Sequence, residues 1–150
     1  MSAGGLPAQL TAWLHLAATL VMVGVIWYVQ LVHYPLMARV ATTSFPEFHN
    51  EHTRRTGWVV IGPMLVETAT AVLLVVPGVE TVPRPLAAVG LLLVLAIWVS
   101  TFAVQVPLHG RLARGFEISD HRRLVRTNWL RTAVWSVRGV LALLIAAAAA

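Results

Sequence analysis

Four stretches of this chain, Leu10–Met37, Trp58–Val76, Leu86–Val106 and Leu124–Ala149, are dominated by apolar residues. Each is close to or above the ~20 residues that a helix needs to cross the hydrocarbon of a bilayer. Backbone in hydrocarbon has no water to bond to, so such stretches become helices that satisfy their own N–H and C=O groups. Short connections between them make sequential helices antiparallel neighbours. The expectation is an all-α integral membrane protein, a four-helix up-down bundle forming a single domain over residues 1–150. Composition agrees: 58% of the residues are hydrophobic and the mean hydropathy is +0.77, well outside the range of soluble domains. The first stretch does not read as a cleavable signal, because no basic side chain precedes it and it is too long for a signal core.

The chain contains no cysteine. Disulfides, thiolate metal ligands, covalently attached haem and dithiol redox chemistry are therefore excluded. Neither a P-loop nor a nucleophile elbow is present, which argues against hydrolases of those types. The net charge of +5 does not point to nucleic acid; in a membrane protein it reports orientation. Arg39, Arg54 and Arg55 lie in loop one, and Arg111, Arg114, Arg122 and Arg123 in loop three, against Arg84 alone in loop two. By the positive-inside rule, loops one and three face the cytoplasm and both termini face out. The implied location is a bacterial cytoplasmic membrane, with the lipid bilayer as the main partner.

Only 11% of the residues are charged, yet "FHNEHTRRTGWVVIGPMLVE" concentrates charge ahead of the second apolar stretch and places Glu67 inside it. Ser44 and Glu47 have capping-box spacing, so a helix is expected to start near residue 45. Ser119 or Asp120 is expected to cap the fourth helix. Residues three, four and seven apart share a helix face. On that basis Gln30 and His33 pair on helix one, and His49, His52, Thr56 and Glu67 align on helix two. Trp98, Thr101, Gln105 and His109 align on helix three, and Asn128, Arg131, Trp135 and Arg138 on helix four. Polar groups in hydrocarbon face the bundle interior or a wet cavity, so the four stripes should converge.

His33, His52 and His109, from three helices at one depth, form a pattern that suits a transition metal such as iron, copper or zinc, or a bound acidic ligand. His49 is a further candidate, although both it and His121 also read as interfacial among loop charges. His15, without polar company, reads as bonded to a neighbouring carbonyl. Glu67 reads either as a structural partner of Arg131 or Arg138 or as a catalytic group beside Asn128 and Arg131. Gln105, Arg138 and Trp98 are candidates for holding a cofactor.

At "QLVHYPL", "FHNEHTRR", "PMLVE", "QVPLHGRL" and "TNWLRTAVWSVRG" the chain resembles a group of small bacterial four-helix membrane proteins of unknown function. "NWLRTAVWSVRGVLAL" is similar to the closing helix of the anthrone-oxygenase-like membrane family, with Asn128, Trp129, Arg131 and Arg138 as the matching residues. That resemblance implies a small lipophilic substrate of aromatic or quinone-like type. Three functions follow as expectations. The first is a metal-dependent membrane oxidoreductase or oxygenase. The second is an electron carrier with haem b held between two histidines. The third is a transporter or channel using Glu67, Arg131 and Arg138, which with four spans requires a homo-oligomer.

The orientation is directly testable because no native thiol competes. With Ser119→Cys and Ser2→Cys variants in intact cells, an impermeant maleimide should label Ser2→Cys alone; labelling of Ser119→Cys instead would invert the topology.

Overall fold

The computed structural model describes residues 5–76 and 82–150. These are 88% helical, with no strand. Helix α1 runs as Gly5–Tyr28, passes through a π-helical turn at Val29–His33 and finishes as Tyr34–Met37. Helix α2 is Phe45–Val75. Helix α3 runs as Arg84–Ser100, a second π-helical turn at Thr101–Gln105, and Val106–Leu112. Helix α4 is Ile118–Ala149. All four are long and apolar enough to cross a membrane, and the chain is a multi-pass membrane protein.

Three of the helices overrun their apolar stretches at the end that carries loops one and three. There α2 begins at Phe45, α3 continues to Leu112, and α4 begins at Ile118. Pro46 sits in the first turn of α2, where its missing N–H costs nothing. The expected capping box is not formed, since Ser44 makes no side-chain cap bond. The cap of α4 is Glu117, not Ser119 or Asp120; its carboxylate accepts the Ser119 N–H.

Helix α1 packs against α2 and α4, and α3 packs against the same two. The helices thus form a ring in chain order, with α1 facing α3 across one diagonal and α2 facing α4 across the other. Large apolar side chains such as Leu92, Val99, Phe102 and Leu130 are exposed on the outside, the arrangement expected of a surface solvated by lipid.

Inside, apolar and polar layers alternate along the axis. An apolar layer of Ala12, Leu74, Ala87 and Ile145 lies at the far end. Met22, Ile26, Met64, Ile97 and Trp135 form a middle one. Tyr34, Met37, Phe45, Leu108, Leu112 and Leu124 close the end carrying loops one and three. A polar layer fills each gap.

The first polar layer is a clasp around Glu67. The Arg138 guanidinium lies 2.9 Å from the Glu67 carboxylate, with the two side chains 1% and 2% exposed. Glu67 Oε1 accepts from Arg138 Nε at 2.9 Å and from the Thr19 hydroxyl at 2.9 Å. Its Oε2 accepts from Trp135 Nε1 at 3.2 Å. Arg138 Nη1 donates to the Gly90 carbonyl, and Nη2 lies 3.4 Å from His15 Nε2. A guanidinium only donates, so His15 Nε2 accepts and its proton sits on Nδ1. That nitrogen donates to the Thr70 hydroxyl at 2.9 Å, and Thr70 in turn donates to the Val66 carbonyl. The network joins all four helices and spans the α2–α4 diagonal. Of the two arginines considered for Glu67, Arg138 is the partner. His15, expected to bond a carbonyl, is instead a neutral acceptor in this clasp.

Breaking a buried pair by removing one member typically costs ~3–5 kcal/mol, because it strands the other charge. Arg138→Leu should therefore lower thermal stability in detergent by more than Glu67→Leu combined with Arg138→Leu does. A double variant less stable than both singles would show that the pair is not the clasp's main term.

Candidate polar cavity

The side chains at the end carrying loops one and three owe their placement to the two π-helical turns. Each turn is followed closely by a proline, Pro35 or Pro107. A proline lacks an N–H, and its ring clashes with the carbonyl four residues earlier. Those carbonyls, of Leu31 and Ala103, fall inside the π turns. The widened ladder appears directly: the Tyr34 N–H bonds the Val29 carbonyl, and the Val106 N–H bonds the Thr101 carbonyl, both five residues back. One extra residue per turn shifts the following side chains by about 100° relative to an unbroken α-helix. Both turns carry a buried glutamine, Gln30 and Gln105.

These glutamines meet α4. Gln30 Oε1 accepts from Asn128 Nδ2 at 2.8 Å, and Asn128 Oδ1 accepts from Arg131 Nη1 at 3.1 Å. The Arg131 guanidinium lies 5.0 Å over the Trp135 ring, a cation–π contact. Gln105 Nε2 donates to the Thr127 hydroxyl at 3.1 Å. Thr127 gives its own hydrogen to the Arg123 carbonyl at 2.8 Å, which fixes the orientation of the Gln105 amide. Gln105 Oε1 is left buried without a partner, as is Arg131 Nε.

Four histidines gather at the same end, in two pairs. The rings of His33 and His52 stack with centroids 3.7 Å apart. Those of His49 and His109 lie 5.1 Å apart, with His109 Nδ1 at 3.3 Å from His49 Nε2. His49 Nε2 also lies 3.2 Å from the His109 carbonyl. That contact requires the proton on His49 Nε2, so His109 Nδ1 is an acceptor and its Nε2–H is directed at the Tyr34 hydroxyl, 3.5 Å away. His49 Nδ1 and His33 Nε2 are buried without partners.

The expected convergence of His33, His52 and His109 is corrected by this pairing. His52 turns to His33 and His109 turns to His49, and no three His, Asp or Glu side chains among the described residues form a metal-holding group. His49 is fully buried and His121 is also buried, not interfacial; His121 Nε2 donates to the Tyr34 carbonyl at 3.0 Å.

A cavity of about 390 Å³ lies between α1, α2 and α3, with Arg131 reaching in from α4. Met22, Ile26, Val29 and Val60 make its apolar wall, and Tyr34, His52, Gln105, His109 and Arg131 its polar end. Asn128 stands behind Arg131 as its positioning residue. Trp98 is not in the wall; its Nε1 donates to the Thr68 hydroxyl at 2.8 Å. Glu67 and Arg138 are a layer away, joined to each other. A groove of about 490 Å³ lies outside, lined by His33, Glu47, Glu51 and His52. His52 is thus a wall of both spaces. Tyr34 escapes a reading based on charge, although the proline two residues beyond His33 marks the distortion that positions it. Comparison with family models, with curated proteins and with solved structures finds no match.

Pro107→Ala should let the π turn relax and rotate Gln105 away from α4. A short bifunctional thiol reagent should bridge Gln105→Cys to Thr127→Cys with Pro107 present, and do so several-fold less in the Pro107→Ala background. Unchanged bridging would detach the π turn from the proline.

Proposed function

We propose that the protein is a membrane oxidoreductase acting on a small lipophilic molecule, held in this cavity with its polar head on Tyr34, Gln105, His109 and Arg131. One observation carries the reading: an unpartnered acceptor, Gln105 Oε1, and an unpartnered donor, Arg131 Nε, belong to residues lining the same apolar cavity. Buried polar atoms are normally satisfied, and a polar ligand head at the Gln105 amide and the Arg131 guanidinium would supply bonding capacity that the protein leaves unused. The row Tyr34–His109–His49 supplies the acid–base groups. The Tyr34 hydroxyl accepts from His109 Nε2–H and is free to donate its own hydrogen to the polar head, and the apolar wall excludes water. In this reading the substrate enters from a bacterial cytoplasmic membrane and the polar end faces the cytoplasm.

A metal ion held by His49 and His109 is the second reading. The observation favouring it is the 3.3 Å between His109 Nδ1 and His49 Nε2. Two imidazole nitrogens each ~2.0–2.1 Å from a tetrahedral ion stand about that far apart. The remaining positions would be taken by water or substrate, with loss of the His49 Nε2 proton.

The test is turnover of alkyl hydroquinones and lipophilic phenols by reconstituted protein, with dioxygen as electron acceptor and elemental analysis of each preparation. His109→Ala should lower the rate by about 10²-fold or more, the usual scale of acid–base catalysis, and Val60→Trp should abolish it by filling the cavity. Iron, copper or zinc that is stoichiometric in the parent and lost in His49→Ala, but kept in His121→Ala, selects the metal reading. No turnover above empty liposomes, or full activity in His109→Ala, would overturn the oxidoreductase.

A further inference from the structure

Two arginines of α4, Arg131 and Arg138, sit two turns apart on one stripe inside the bundle, and they are treated differently. Arg138 has Glu67 at 2.9 Å and a complete set of acceptors. Arg131 has no carboxylate within ion-pair distance among the described residues. Its contacts are the Asn128 amide oxygen and the Trp135 face, and its Nε has none. The other ion pairs, of Arg54 and Arg55 with Glu51 and of Arg111 with Asp120, lie at the ends of helices. A guanidinium held in an apolar interior without a counter-charge is costly. Intramembrane charges are tolerated where they pair or face a cavity, and Arg131 lines the 390 Å³ cavity.

We infer that the missing counter-charge comes from the ligand: the cavity takes a lipophilic anion, a single acidic head on an apolar tail. The inference rests on the cavity being the ligand site and adds the ligand's charge. The anionic oxygen accepts from the Arg131 guanidinium in a charge-assisted bond, and the Tyr34 hydroxyl stands in the same wall to donate a second one. The tail lies along Met22, Ile26 and Val60. The same chemistry is offered by a free lipophilic acid and by an acidic membrane lipid.

The experiment uses the purified chain in phosphatidylcholine nanodiscs, with dodecanoate and its methyl ester as probes. Thermal unfolding is the readout, because a ligand of the folded state raises Tm. Dodecanoate should raise Tm, and the ester should need at least about tenfold more to match it, the ratio that 1.4 kcal/mol of binding energy gives. Arg131→Met should erase that preference. Without ligand its Tm should be equal to or above that of the parent, since an uncompensated charge has gone; a structural arginine would behave in the opposite way. Phosphatidic acid added to the discs should stabilise the parent but not Arg131→Met if the anion is a membrane lipid, and should leave both unchanged if it is a free acid. Equal response to acid and ester, a preference that survives Arg131→Met, or a marked loss of stability in that variant overturns the anion and leaves the lipophile cavity standing. No response to either probe overturns the cavity reading itself.

Discussion

Everything inside this bundle is arranged around a carboxylate and a guanidinium that face each other across it. Glu67 and Arg138 sit on diagonal helices, so their contact fixes the α2–α4 distance, and Thr19, Trp135, His15 and the Gly90 carbonyl tie α1 and α3 to the same point. Lipid outside and side chains inside are about equally apolar, so the hydrophobic effect does little to choose one helix register over another in a membrane. A fully satisfied polar layer does, since each alternative register strands a charge.

That layer also explains why the cavity can be unsatisfied. The clasp and the cavity are separate polar layers with Met22, Ile26, Met64, Ile97 and Trp135 between them. Trp135 links the two, with its Nε1 on Glu67 and its ring under Arg131. The ring is held by the clasp and therefore presents a fixed surface to the guanidinium. Stability is concentrated on one side of this aromatic and open hydrogen-bonding capacity on the other, a division expected where a site must stay free for a ligand.

The four spans were legible because length and composition alone decide whether a helix can cross hydrocarbon. The need of Glu67 for an arginine was legible for a similar reason, as an isolated carboxylate has no place at that depth. Choosing Arg138 over Arg131 was not, because both lie on one stripe and two helical turns separate them. The histidine arrangement misled for a different reason. A uniform 100° wheel does not hold for α1 and α3, which each contain a π turn, so side chains on either side of it are out of phase. Pro35 and Pro107 carried the signal. It is not a sufficient one, since Pro63 lies within α2 and that helix stays α-helical throughout. His121 reads as interfacial because it stands among the charges ahead of the apolar stretch that begins at Leu124. With α4 starting at Ile118, His121 lies on the stripe of Leu124, Asn128, Trp135 and Arg138, all of them buried.

The two π turns also divide the bundle mechanically. An α-helix is stiff because successive hydrogen bonds brace each turn against the next, and a widened turn beside a proline lacks part of that bracing. Helices α1 and α3 are therefore jointed rods, with their joints at one depth and on opposite corners of the ring. Helix α2 keeps unbroken α-geometry through its proline and α4 has none, so these two act as struts. Beyond the joints, the short ends of α1 and α3 carry Tyr34 and His109, which meet across the diagonal.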